Sequence, residues 1–258
     1  MRVRSIGSHP SAAADALECW SGRIRRMRIL ALDASTEVCA VAFGDGVSWH
    51  ERSEVAGQRH SELLVPMIRT ILANCGATLS EIDGIAFGAG PGSFTGLRIA
   101  CGVAQGIALG ASLPVVAVST LEAIAETRRG SGGGERVIAA VDARMREIYV
   151  GAYERDAERW REVIAPVVVA PDAAPVPEGC GWIGAGSGFA AYPALREVYG
   201  AAISECDATI VPSATAVGKL ALPRFAAGEG VWARDAAPIY VRHRVALTTA
   251  ERVSGLRL

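Results

Sequence analysis

From residue 27 onward, short apolar runs of strand length alternate with longer segments whose apolar positions recur every three to four residues. "MRILALDAS" contains a buried strand over 28–33 that ends in Asp33. "EVCAVAFGDG" followed by "VSWHERSEV" predicts a hairpin that turns at Gly44-Asp45-Gly46. Leu63, Leu64, Met67, Ile68, Ile71 and Leu72 fall on one face of a helix predicted over 61–74. Pro66 sits late for a first-turn proline and predicts a kink there. "IDGIAFGAG" is the next strand, followed by a glycine-rich helix, the strand "PVVAVS" and a short helix over 120–128.

The stretch "RGSGGGE" at 129–135 predicts a linker, after which the same grammar restarts. "RVIAAVDARMREIYVGAYER" gives strand, turn and strand. "GWIGAGSG" gives a strand and a second glycine turn, "FAAYPALREVYG" a helix, 213–227 another helix, and "AAPIYVRHRVALT" an extended tail. The two halves open alike, "ILALDAS" against "VIAAVDAR", which suggests an internal duplication. The alternation of strands and helices argues for mixed, largely parallel sheets in a two-lobed α/β protein. The expected division is a disordered extension at 1–26, a first lobe at 27–129, a second at 130–245 and a flexible tail at 246–258.

Composition narrows the function classes. The chain has 258 residues and a net charge of -1, so bulk charge announces no polyanion-binding surface. Lys219 is the only lysine, which removes most candidates for a phosphate-gripping or Schiff-base residue. Six scattered cysteines form no CxxC pair, and Cys39 and Cys101 sit in apolar, core-like contexts. The arginine-bearing first 26 residues lack the apolar core of a signal peptide. No apolar run approaches the roughly 18 residues that span a bilayer, so a cytoplasmic protein is expected.

The most informative segment is "GAGPGSFTGLRIACGVAQGIALG" at 88–110. Gly88, Gly90 and Gly92 precede Ser93 and Thr95, two candidate helix caps, in the manner of an anion-binding strand-to-helix turn. A Walker loop needs a lysine after its last glycine, and Gly96 is followed by Leu97 and Arg98. Ser93 also breaks the dinucleotide spacing. In the helix, Gly102, Gly106 and Gly110 recur every four residues, each at a cost of about 1 kcal/mol relative to alanine. Tight packing on the protein's own sheet and a docking face for a second protein both explain them.

Asp33, with Ser35 and Thr36, ends one strand, and Asp142 holds the equivalent place beside Arg144, Arg146 and Glu147. Either aspartate could face a ligand; Asp33 could also be an Asx-turn cap, and Asp142 an arginine partner. Gly184 and Gly186 form the second glycine turn. His60 lacks the i+4 partner a helical metal site would want, because position 64 is Leu64, and it reads as an exposed helix-start residue. Arg128, Arg129, Arg144 and Arg146 could gather into a small basic patch. The residues alone define a two-lobed α/β protein with vestigial nucleotide-binding features and no evident catalytic apparatus.

"MRILALDASTEVCAVAF", "RHSELLVPMI", "GPGSFTGLR", "LPVVAVSTLEAIA", "DARMREIY" and "APIYVRHRV" resemble, in order and spacing, the TsaB (YeaZ) family. The resemblance implies an actin/hexokinase-like (ASKHA, ribonuclease H-like) fold with duplicated mixed sheets flanked by helices. It implies a non-catalytic partner of TsaD, the enzyme that transfers threonylcarbamoyl to the adenosine beside the tRNA anticodon, with TsaE as an ATPase in a larger assembly. TsaD holds its metal with two histidines four apart, and the pair His60 and Leu64 has lost that site. No metal, no required cofactor and no protease activity are expected, with weak ATP or ADP binding at or near the TsaD interface. That vestigial site would draw on Asp33, Ser35, Thr36, Gly90, Gly92, Ser93, Asp142, Gly184 and Gly186.

The family's TsaD interface, carried over residue by residue, comprises His60, Leu63, Leu64, Met67, Ile68 and Ile71 on the first helix. On the glycine helix it comprises Thr95, Arg98, Ile99, Gly102, Val103, Gly106 and Gly110. A homodimer is expected when the chain is alone, tRNA is met only through the complex, and no membrane is involved. The competing reading is an autonomous ATPase or kinase-like enzyme of the actin/hexokinase class.

Overall fold

The computed structural model describes residues 26–157 and 159–242. The expected extension, apart from Arg26, and the expected tail lie outside the described residues, as does the end of the "APIYVRHRV" segment.

Five strands build the first sheet: β1 (Ile29–Asp33), β2 (Val38–Gly44), β3 (Trp49–Val55), β4 (Gly84–Gly90) and β5 (Val115–Ser119). Their order is β3-β2-β1-β4-β5, with β1 antiparallel to β2 and parallel to β4. The second sheet comprises β6 (Arg136–Arg144), β7 (Glu147–Asp156), β8 (Arg159–Val169), β9 (Trp182–Ala185) and β10 (Ile203–Asp207). Its order, β8-β7-β6-β9-β10, repeats the first, and β6 is again antiparallel to one neighbour and parallel to the other. The duplication suggested by "ILALDAS" and "VIAAVDAR" is therefore a duplication of sheet topology.

Both faces of each sheet are covered, which is why β1, β4 and β6 read as unbroken apolar runs. Leu30 and Leu32 point to one side of the first sheet, under α1 (His60–Asn74) and α2 (Phe94–Ala111). Ile29 and Ala31 point to the other, under α3 (Thr120–Gly132) and α6 (Ala214–Ala226). α3 also packs on β6, so these two helices lie between the sheets. The far face of the second sheet carries α4 (Gly188–Ala191) and α5 (Leu195–Tyr199).

Several expectations change. α1 runs through Pro66 without interruption, the Thr70 hydroxyl donating to the Pro66 carbonyl at 3.0 Å. α3 continues to Gly132, well into the expected linker, because its end is anchored. Arg128 donates to the Gly133 carbonyl at 2.8 Å and pairs with Glu205, while Arg129 pairs with Glu126. The single helix expected over "FAAYPALREVYG" is two short ones, because Pro193 cannot continue the first. α6 and the segment behind it, expected in the second lobe, return to the first sheet. Val231 and Val115 exchange both backbone hydrogen bonds at 2.9 Å, and the Ile239 N–H donates to the Ala89 carbonyl at 2.7 Å. α2 matches a membrane span in length and apolar composition, contrary to the sequence expectation, but Ala100, Cys101, Ala104 and Ala108 pack into the core.

Candidate functional site: a cleft and an outward glycine face

A cleft of about 900 Å³ opens between the two sheets' strand ends. Of the residues expected in a vestigial nucleotide site, Ser35, Thr36, Gly92, Ser93 and Asp142 line it. Asp33, Gly90, Gly184 and Gly186 do not. Asp33 is sealed at 1% exposure, its Oδ1 accepting from the Ser35 N–H and hydroxyl at 3.0 and 2.9 Å. Its Oδ2 has no hydrogen-bond partner among the described residues and fills the space beside Gly88, where a Cβ would lie 1.8 Å away. Burial pushes the Asp33 carboxyl up to about 7 against the lowering effect of Ser35. The Asx-turn reading of "DAST" is the one realised; a carboxyl closed off in this way does not reach a ligand.

The glycine turns have internal reasons. A side chain at Gly92 would meet the Ser35 carbonyl, one at Gly96 the Ala34 carbonyl, one at Gly90 the Ile239 carbonyl and one at Gly184 the Phe189 ring. Gly186 has φ +105 and abuts the Ala140 carbonyl. The Ser93 N–H donates to the Ser35 carbonyl at 2.7 Å, and the Gly96 N–H to Ser93 Oγ at 3.2 Å. Two donors at the helix start are thus already engaged within the protein.

Asp142 is an arginine partner at the edge of the cleft. It lines the cleft while Oδ1 accepts from the Arg144 N–H at 2.9 Å and Oδ2 sits 3.2 Å from that guanidinium. The basic patch dissolves: Arg128 and Arg129 are paired beside the second sheet, and only Arg144 and Arg146 are exposed. His60 is buried, contrary to expectation, and hydrogen-bonds through Nε2 to the Thr36 carbonyl at 2.9 Å. Cys39 and Cys101 are core residues, burial pushing the Cys39 thiol up to about 11. Among the described residues no group of three or more His, Cys, Asp or Glu side chains could hold a metal ion.

Cleft-lining residues missed in the sequence are Phe94, Tyr149, Tyr240 and Arg242. Arg98 stacks 3.9 Å above the Phe94 ring and donates to Tyr240 Oη at 3.1 Å. Arg242 donates to the Ala143 carbonyl at 3.1 Å and pairs with Glu147. The extended tail thereby ties α2 to the β6–β7 hairpin, a pairing over 90 residues in sequence that no local pattern announces.

The carried-over interface divides by burial. His60, Leu64, Met67, Ile68 and Ile71 pack against the first sheet in this chain's own core, with Leu63 at its edge; they are not surface residues. The outward side of α1 carries Ser61, Glu62, Val65, Pro66 and Arg69 instead. On α2, Thr95, Arg98, Gly102, Gly106 and Gly110 are exposed, and Ile99 and Val103 half-buried. A Cβ at Gly102, Gly106 or Gly110 would meet nothing within 4 Å among the described residues. Packing against the protein's own sheet is therefore not what these three glycines are for.

Two topologically equivalent mixed sheets facing a shared cleft, with helices between and outside them, define a two-lobed α/β protein of the actin/hexokinase-like class. The chain is 37% identical over 226 residues to the tRNA threonylcarbamoyladenosine biosynthesis protein TsaB of Escherichia coli K12, spanning 85% of this chain and 96% of that one. It is 36% identical to the Haemophilus influenzae TsaB, over 86% and 96% of the two chains. The solved structure of YeaZ from Pseudomonas aeruginosa superposes with a TM-score of 0.78 at 41% identity, covering 83% of this chain and 99% of that one. The family profile described as TsaD, tRNA N6-adenosine threonylcarbamoyltransferase, matches residues 49–227. The chain belongs to the TsaB (YeaZ) family and has a role in tRNA threonylcarbamoyladenosine biosynthesis.

Proposed function

We propose that this chain is the non-catalytic, cytoplasmic subunit that docks a TsaD-type transferase through the outer face of α2 and the adjoining outer side of α1. The observation that carries this reading is the exposed stripe of Gly102, Gly106 and Gly110, open to a second backbone, beside Leu109 at 76% exposure. Small residues let two helices approach closely, and exposed apolar surface beside them favours a lasting partner. The carried-over interface survives in this reading as Thr95, Arg98, Ile99, Gly102, Val103, Gly106 and Gly110. Without the partner the same face supports a homodimer; TsaE joins the larger assembly, and any ATP or ADP binds weakly near the interface. The sealing of Asp33 weighs against an autonomous ATPase.

Size-exclusion chromatography with light scattering tests this on the full chain, alone and mixed with TsaD from the same organism. A one-to-one complex forming at the expense of the homodimer supports it. Gly106→Leu, which fills the stripe without touching the core, is expected to abolish that complex and tRNA modification with it. Failure of two folded proteins to associate would sink the reading.

A further inference from the structure

The tip of the β6–β7 hairpin is built against its own backbone preferences. Arg144 pairs with Glu147, leaving Met145 and Arg146 as a two-residue turn. Their φ values are +54 and +61, and that of Arg144 is +60. Two-residue turns with positive φ at both positions normally use Asn-Gly, because an ordinary side chain is strained there. Three successive non-glycine residues in this region indicate that the side chains, rather than the turn, are being kept. Those side chains are exposed: Arg144 to 86%, Met145 to 55%, and Arg146 openly. Arg146 has no ion pair among the described residues, and the Arg144–Asp142 contact is a solvent-facing pair of small worth. A third guanidinium, from Arg242, reaches the same tip, 3.6 Å from Met145 Sδ. The cleft rim carries the half-exposed rings of Phe94 and Tyr240, 5.8 Å apart.

Arg98 takes one face of Phe94, and guanidinium forks sharing a cleft rim with half-exposed rings are the chemistry of single-stranded RNA, whose phosphates take the charge and whose unstacked bases stack on what the rings leave open. We propose that Arg144 and Arg146, with the Phe94–Tyr240 rim, form a direct contact site for an unpaired RNA segment such as a tRNA loop. This rests on the reading of the chain as a TsaD partner, but replaces tRNA contact through the complex with contact by this subunit itself. A protein of net charge -1 has no long-range pull on RNA, so the site acts after the complex has brought the two together.

The test uses the full chain in complex with TsaD and an unmodified substrate tRNA, with affinity measured across a salt series. Arg144→Ala/Arg146→Ala is expected to leave the TsaD complex intact, weaken tRNA binding on the order of tenfold, and flatten the salt slope by about one per arginine. Met145→Asn/Arg146→Gly gives the turn its preferred residues, so it should raise the melting temperature while lowering tRNA affinity, which removes misfolding as an explanation. Unchanged affinity and slope in both variants overturn the proposal. So does loss of TsaD binding, which would make the tip a protein contact. Absence of any TsaD complex in the unaltered chain would instead defeat the docking reading, and tRNA binding by the chain alone would then be compared between the same variants.

Discussion

Seven glycines between residues 88 and 110 look equivalent in the sequence and divide in two in the structure. Gly88, Gly90, Gly92 and Gly96 are held by neighbours that leave no room for a Cβ; Gly102, Gly106 and Gly110 face open space. Gly96→Ala would place its methyl 1.8 Å from the Ala34 carbonyl, so it should cost about 1–3 kcal/mol or more in chemical denaturation. Gly102→Ala should instead stabilise the isolated chain by about 1 kcal/mol while weakening TsaD binding, a divergence that a purely structural glycine would not show. Asp33 offers a second test. Its folded pKa of about 7 exceeds the unfolded value of 3.8, so the native state holds the extra proton between them. Stability should therefore fall as pH rises from about 4 to 7 and level off above, and Asp33→Asn should remove that part of the pH dependence in urea titrations. The motif "DAST" gave the turn correctly, but burial, which decides the chemistry, depends on β4 lying alongside.

Elements set by local pattern were legible; elements set by distant partners were not. α1, α2 and α6 fall where periodicity puts them, with Ser93 and Ser213 capping the latter two by accepting from the N–H three residues on. Ser93→Ala should cost about 1 kcal/mol in thermal unfolding, and more than an exposed serine elsewhere. The extra turn of α3 was invisible because Gly and Ser suggest a linker, whereas one of its anchors, Glu205, comes from β10 and the other, Glu126 on the helix itself, is buried by contacts from the second sheet. Burial alone would raise the Glu126 carboxyl, but Arg129, Trp160 Nε1–H and Arg155 hold it below the usual range. Glu126→Ala removes a buried carboxylate that Arg129, Arg155 and the Trp160 indole N–H share, and should destabilise by about 3 kcal/mol or more, by the same denaturant measurement. The carried-over α1 interface failed for a related reason: the stripe that identified the helix is the stripe the core uses.

At the scale of the molecule, a two-lobed fold with repeated grammar could be read from the spacing of strands and glycine turns, but its partition could not. The expected cut near residue 129 ignores that α6 supplies Val217, Leu220 and Phe225 to the inner face of the first sheet. Nothing in the helix's own sequence names the sheet it covers. The cleft shared this fate: "APIYVRHRV" was recognised, while its closure over α2 and the β6–β7 hairpin depended on contacts across the whole chain.

That late return has a consequence for how the protein is made. β1, β2, β3 and β4 are the first strands to leave a ribosome, yet one side of their sheet, lined by Ile29, Ala31, Ala42 and Ala86, is completed by residues 214–226. The lobe that is synthesised first is therefore finished last, and the part of its apolar inner surface that α3 does not cover stays open until nearly the entire chain has emerged. A nascent chain stalled or truncated after residue 212 should be bound by chaperones and show no cooperative melting transition, whereas one extending through residue 242 should.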